Sequence, residues 1–313
     1  MQNAALSFYR HSEMGEEMPE YITFTRKTGE GIYFILDLKE ETAGYLEFDI
    51  EVPEDCLLEV GWGEHLVDGR CRTAVGKRNE KGATVRNFSV TARLQKGRNH
   101  YRNPFRRLGG RYLQLFLQTS EVKVYAAGIC PTVYPVKEKE YKTGDLLRDE
   151  IYETSRRTLL HCMHEHYEDC PWREQSFYTS DSRNQMLCGY YAFEEYDLPK
   201  ASLRLIAQSV CMDDMLPICY PTDFQLAIPS FSPVYIVMLA EYYRYAKDKE
   251  TIEECFGVAK QIADAFIRRI DETGLMPNHE NESIFWNFYE WQPYMDGHSY
   301  HGIGNYDMAL NAQ

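Results

Sequence analysis

Between His164 and Arg183 the chain reads HEHYEDCPWREQSFYTSDSR, which gathers three carboxylates, Asp169, Glu174 and Asp181, with the guanidinium of Arg173 around a Cys-Pro pair. Grouped carboxylates can divide proton donation and acceptance between them when one is kept protonated by its surroundings and another stays ionised. Trp172, Phe177 and Tyr178 supply aromatic cover for such a difference. Taken singly, Asp181 can be the N-cap of a following helix and Asp169 a turn residue before Cys-Pro. As a set they are hard to explain by packing. His161, Cys162, His164, His166, Asp169 and Cys170 form a competing constellation of metal-ligand types. Its spacing is wrong for a metal, because His164 and His166 do not share a helix face and there is neither an H-E-x-x-H pair nor paired C-x-x-C hooks. No metal or cofactor is expected. His164 and His166 are assigned to closing a helix C-terminus or to the edge of the pocket, and Cys170 to a small buried position.

The elements that must position this loop differ on its two sides. From about Tyr21 to Val133, apolar and polar residues alternate in short runs at Gly31–Leu38, Gly44–Val52, Cys56–Trp62 and Tyr112–Leu117, the spacing of strands. Turn-rich segments separate the runs without a helical interruption, which predicts an antiparallel β-sandwich over residues 1–136. After Pro131–Pro135 and the charged run Lys137–Lys142 the period becomes helical. Helices are predicted from Asp145, as N-cap, to about His166, with Leu147, Ile151, Thr154, Leu159 and Cys162 on the apolar side. Others follow at 181–196, 199–212, 232–246 and 249–270, with one beginning near Asn305, so residues 143–313 form a helical domain. The long loops 212–230 and 274–304 are rich in Pro, Tyr, Trp and acidic residues, a composition that suits binding segments.

This organisation resembles glycoside hydrolase family 78, the α-L-rhamnosidases. Members tend to carry D-C-P-Q-R-E-R-L-G-W-T-G-D in the corresponding loop. Here Asp169, Cys170, Pro171, Arg173, Glu174, Thr179 and Asp181 match that pattern, while Trp172, Gln175, Ser176, Phe177, Tyr178 and Ser180 depart from it. Ile228–Val237 also resembles the start of a barrel helix in that family, and Glu290-Trp291 stands where Asp-Trp is common. The resemblance covers roughly Tyr21 to Gln313 and is specific at the loop. It implies a β-sandwich followed by a six-hairpin (α/α)6 barrel and an inverting glycosidase that removes terminal α-L-rhamnose or a similar sugar. Glu174 would be the general acid, Asp169 and Asp181 would accept hydrogen bonds from ring hydroxyls, and Arg173 would orient Asp169 or a sugar hydroxyl rather than touch Glu174. Trp172, Tyr178, Trp286 and Trp291 would stack on the sugar. Hydrolysis independently requires one acid to protonate the leaving oxygen and a second carboxylate to act as base or nucleophile. The loop departures touch the sugar-facing wall, so a glucuronidase, lyase or trehalase relative, or a non-catalytic carbohydrate-binding protein, are the competing readings.

Composition narrows the partners. The 313 residues carry 34 basic and 48 acidic groups for a formal net charge of −14, which repels nucleic acid. No apolar run is long enough for a membrane span and the N-terminus lacks a secretory pattern, so a cytoplasmic location is expected. The nine cysteines are scattered without a disulfide framework and are expected to be thiols in a reducing compartment. An (α/α)6 barrel has twelve helices, and about six are predicted here. The general base of the family cannot be matched to any residue. The expectation is therefore that the sequence continues past Gln313, or that a second copy completes the ring as a homo-oligomer, and that these residues by themselves are catalytically poor.

Overall fold

Alternating burial along two 21-residue strands organises the β unit in the computed structural model, which describes residues 5–6, 21–29, 31–75, 78–79, 82–83, 86–137, 139, 141–210, 212–222, 225–279, 284–292 and 295–297. Strands β1 (Ala5–Leu6), β2 (Ile22–Thr25), β3 (Ile32–Val52), β4 (Cys56–Gly63), β5 (Ser89–Leu94), β6 (Gly97–Leu117) and β7 (Glu121–Pro131) form one seven-stranded sheet. Its order is β5-β4-β6-β3-β7-β2, antiparallel throughout, with β1 added parallel to β3. The runs Gly31–Leu38 and Gly44–Val52, predicted as separate strands, are two parts of β3. Thr42 and Ala43 pair with Gly110 and Gly109, and the ladder resumes at Asp37 with Tyr112 after a bulge that leaves residues 38–41 outside it. Lys39 takes a left-handed conformation within the bulge, its amide donating to Asp37 Oδ1 at 2.8 Å.

The two ends of this sheet have different neighbours. The first part of β3 lies beside β6, then β4 and β5, whereas its second part lies between β6 and β7, with β2 beyond. Both ends contribute to one core, in which Phe34, Leu36, Phe48, Ile50, Leu113 and Val122 are buried. Phe24 of β2 stacks on Phe34 of β3 with ring centroids 4.7 Å apart.

Among the described residues the second unit has five α-helices: α1 (Leu146–Leu160), α2 (Thr179–Ala192), α3 (Asp197–Ala207), α4 (Ser232–Ala246) and α5 (Lys249–Arg269). The two units comprise Met1–Val133 with Cys170–Gln175, and Tyr134–Asp169 with Ser176–Gln313. Asp145 caps α1, accepting from the amides of Leu147 and Arg148. The helix stops earlier than its pattern predicts because the chain reverses after His161, where Met163 bridges to Tyr167 and the Glu168 amide donates to the Cys162 carbonyl. Leu147 and Ile151, predicted to face inward, are exposed along with Leu146, and Leu159 is the buried residue of α1. α3 begins two residues before its predicted start and ends at Ala207, where the Ser209 hydroxyl takes the Ile206 carbonyl at 2.6 Å. The helix predicted near Asn305 lies outside the described residues. Among the described residues no helix is long and apolar enough to cross a membrane.

Tyr235 of α4 and Ile262 of α5 are fully buried at the centre of the helical core, and the Tyr235 hydroxyl donates to the Leu203 carbonyl at 3.0 Å. Replacing Ile262 by Ala removes buried methyl groups from a close-packed site. It should cost about 2–5 kcal/mol in urea denaturation, and a near-zero change would show that the core collapses around the gap. His279 follows α5 and stacks on Phe285 at 4.0 Å. Burial, reinforced by Arg269 and opposed by Asp213, pushes its imidazole down to about 4. The unfolded chain binds this proton more readily, so His279 contributes stability above its ordinary value of 6.5 that is lost as pH falls from there toward about 4. Melting temperature measured across that interval should fall less steeply for His279→Phe than for the parent protein.

Candidate functional site

The segment Cys170–Gln175 is held by glycines. A Cβ on Gly109 would lie 2.0 Å from the Pro171 carbonyl oxygen, so β6 and the segment approach as closely as only a residue without a side chain permits. At Gly63 a Cβ would lie 3.5 Å from the indole of Trp172, an ordinary packing distance. That indole is 7% exposed in the β core, 4.8 Å from the ring of Phe88 and edge-on to His65. Trp172 therefore does not offer the free stacking face expected of it; its large apolar surface anchors the segment.

The anchor sets the two residues that follow. Gln175 is in the left-handed region and its amide nitrogen donates to the Pro171 carbonyl at 2.7 Å, closing the segment on itself. The Glu174 amide donates to Cys170 Sγ at 3.4 Å, and Cys170 is half-buried. Glu174 Oε1 lies 3.2 Å from Arg173 Nε and 3.6 Å from Arg86 Nη2. Arg173 was expected to avoid Glu174, and the structure places them in contact because Trp172 points into the core and turns its neighbours outward together. Two further carboxyls that sequence inspection did not single out belong to the same unit. Burial and the charge of Glu64 push Glu41 up to about 8, while burial raises Glu64 against the opposing charges of His65 and Arg173. These residues are far apart along the chain and sit in strand-rich stretches, so no local pattern marks them.

In the helical unit, Asp169 and Ser176 clasp each other. The Asp169 amide donates to the Ser176 carbonyl at 3.0 Å, and Asp169 Oδ1 accepts the Ser176 amide at 2.9 Å. Asp169 thus has the turn-stabilising role its type allows, with one carboxylate oxygen so engaged. Asp181 lies in the first turn of α2, inside the helix rather than at its cap, which is Tyr178. The helix dipole favours its negative charge there. The Tyr178 carbonyl accepts from both the amide and the hydroxyl of Ser182.

The aromatic residues of this unit fall into two groups. Phe177 is buried in the helical core and stacks on His166 at 5.4 Å, so it is packing rather than cover for Glu174. Tyr178 and Trp286 instead pack against the small cluster of Ile218, Ile228 and Phe288. Trp286 donates its indole N–H to the Asp296 carbonyl at 2.7 Å, and Trp291 lies 5.7 Å from it and 4.9 Å from Phe288. At 70% exposure Trp291 presents an aromatic surface to solvent. The structure also buries Glu168, overlooked beside Asp169, with its carboxylate 3.9 Å from His164 Nε2. His164 Nε2 lies 2.9 Å from the His161 carbonyl, to which it donates at the end of α1, and His166 Nδ1 is engaged with the Tyr167 carbonyl at 2.7 Å.

Gly109→Ala should force the Pro171 carbonyl away and drag Trp172 out of its seat, destabilising the β unit by about 1–3 kcal/mol with a red shift of tryptophan emission. Unchanged stability and emission would show that the segment backs away without disturbing the indole.

The family described as the bacterial alpha-L-rhamnosidase 6 hairpin glycosidase domain matches residues 138–302, just over half of the chain, including the whole loop from Asp169 to Asp181. Among solved structures, the fold is similar to that of a glycoside hydrolase family 78 rhamnosidase of Bacillus sp. GL1, with a TM-score of 0.79 and 24% identity over 95% of this chain and 30% of that one. A rhamnosidase from Klebsiella oxytoca with rhamnose bound is similar at a TM-score of 0.64 and 22% identity, over 87% of this chain and 55% of that one. An α-L-rhamnosidase of Streptomyces avermitilis complexed with L-rhamnose gives 0.59 and 16%, over 82% and 26% respectively. No curated protein matches the sequence. The resemblance carried by seven loop positions is thus met by a match to the helical half as a whole, and the chain belongs to the bacterial α-L-rhamnosidase six-hairpin glycosidase family.

Proposed function

We propose that the chain forms the β-sandwich and the first half of the (α/α)6 barrel of an inverting exo-glycosidase that removes terminal α-L-rhamnose or a similar sugar from glycosides or polysaccharides. The division lies between residues 1–136 and 143–313. The observation that carries this reading is the family match across a loop in which Asp169, Arg173, Glu174 and Asp181 all stand at motif positions. Two solved relatives in the comparison are described with rhamnose bound, which supports that sugar. The chain spans 30% of the Bacillus chain and 55% of the Klebsiella chain, which supports a barrel completed by further sequence or by a second copy. Leu146, Leu147 and Ile151, exposed on α1, are residues that such a partner would cover.

Glu174 is the general acid. Its proton passes to the glycosidic oxygen as the bond from that oxygen to the anomeric carbon breaks, and a water attacks the opposite face of the sugar while a second carboxylate accepts its proton. That base is assigned outside the matched positions of this chain, about 6.5–9.5 Å from Glu174 to leave room for the water. Arg173 and Arg86 hold Glu174 in place. Asp169 and Asp181 bind ring hydroxyls, while Tyr178, Trp286 and Trp291 supply the aromatic wall. No cofactor is proposed, and the partner is a carbohydrate. In the full-length protein, Glu174→Gln should lower kcat for unactivated rhamnosides by about 10²–10⁴-fold with little change in rhamnose affinity by calorimetry. Retention of normal turnover would remove Glu174 from the acid role.

A further inference from the structure

Arg86, Arg106, Arg107 and Arg173 line one cleft of about 290 Å³ in the β unit, with Glu174 and Trp172 completing the wall. Arginine predominates in this lining, in a chain whose formal net charge is −14. This arrangement is built rather than scattered. The Arg106 guanidinium carbon lies over the indole of Trp62, 4.6 Å from its centroid, and the group donates to the Asn87 carbonyl at 2.6 Å, which holds it in place. Arg86 lies in the short ladder that Arg86–Asn87 forms with Ala74–Val75. Arg173 is set by the Trp172 anchor. The cleft is polar and open at one side, with the volume at the lower end of the range for small-ligand sites.

We propose that this cleft is the subsite for an anionic leaving group: it seats a carboxylate or sulfate on the sugar from which the terminal residue is removed. The inference rests on the glycosidase reading above, since Glu174 forms part of the cleft wall and so places the scissile oxygen at its edge. A planar oxyanion matches the forked donors of arginine, and Arg106, already fixed against Trp62, binds it with little loss of freedom. Binding there also brings negative charge to the two guanidiniums that contact Glu174. The chemistry selects acidic glycans over neutral ones, a preference opposite to that expected from the charge of the chain as a whole.

The test compares rhamnosyl-glucuronate, rhamnosyl-glucose and rhamnosyl-glucose 6-sulfate as substrates of the full-length protein. The glucuronate should exceed the neutral disaccharide in kcat/KM by about tenfold, with the advantage in KM and diminished by salt. Arg106→Gln should bring that ratio near unity. Arg86→Gln, whose side chain is exposed and does not stack on Trp62, should reduce it as well if the first variant folds poorly. A sulfate advantage equal to that of the carboxylate identifies charge as the recognised feature, and a larger carboxylate advantage identifies a uronic acid; either supports the subsite. Equal kcat/KM for the glucuronate and neutral substrates, or a preference untouched by both substitutions, overturns it. Failure to hydrolyse any of the three overturns the glycosidase reading instead. Calorimetric titration with glucuronate and glucose then decides the cleft by itself, with selective glucuronate binding supporting it and equal binding overturning it.

Discussion

The absence of a side chain at Gly109 governs the candidate site. The Pro171 carbonyl occupies the position a Cβ would need, which lets the Cys170–Gln175 segment lie directly against β6 and lets Trp172 enter the β core. Close-packed interiors yield little, so an indole locked among Phe88, His65 and Gly63 fixes the backbone on both sides of it. Arg173 and Glu174 are then presented by a rigid platform rather than by a mobile loop. This matters for proton transfer, in which small displacements of the donor are costly.

The same geometry creates an electrostatic tension. A proton donor needs an environment that disfavours its charged form, yet Glu174 has Arg173 and Arg86 beside it. In the β unit the carboxyls pushed upward are Glu41, through burial and the nearby charge of Glu64, and Glu64 itself, through burial. The arrangement around Glu174 is that of a site whose charge balance is completed by what binds there. Under the proposed reading, an anionic leaving sugar would supply the compensating charge, coupling substrate choice to the readiness of the acid.

The helical unit positions its own residues by more ordinary means. Asp169 is held through its reciprocal bonds with Ser176, and Asp181 rides on the first turn of α2. Trp286 is fixed by its bond to the Asp296 carbonyl, and Gly297 allows that approach, since a Cβ there would lie 2.7 Å from the indole. Trp291 remains exposed beside it. Polar clasp, helix dipole and aromatic cluster each act over one or two turns of chain, which is why these residues stand close to where their local patterns place them.

Strand and helix periods, the change between them after Pro135, and the carboxylate spacing of the loop are local properties, and the sequence by itself determined them. α4 spans Ser232–Ala246 as its pattern predicts, and the family likeness follows from seven positions in thirteen. Two predicted strands merged into β3 because β6 pairs with both of them on either side of a bulge at residues 38–41, something no single strand reveals. The tertiary structure alone decided that Trp172 is an anchor, that Phe177 is core, that Arg173 touches Glu174, and that Arg86 and Arg106 join them in one cleft. The physical reason is that a side chain's role depends on what lies across from it. For this loop those neighbours come from strands more than sixty residues earlier in the chain.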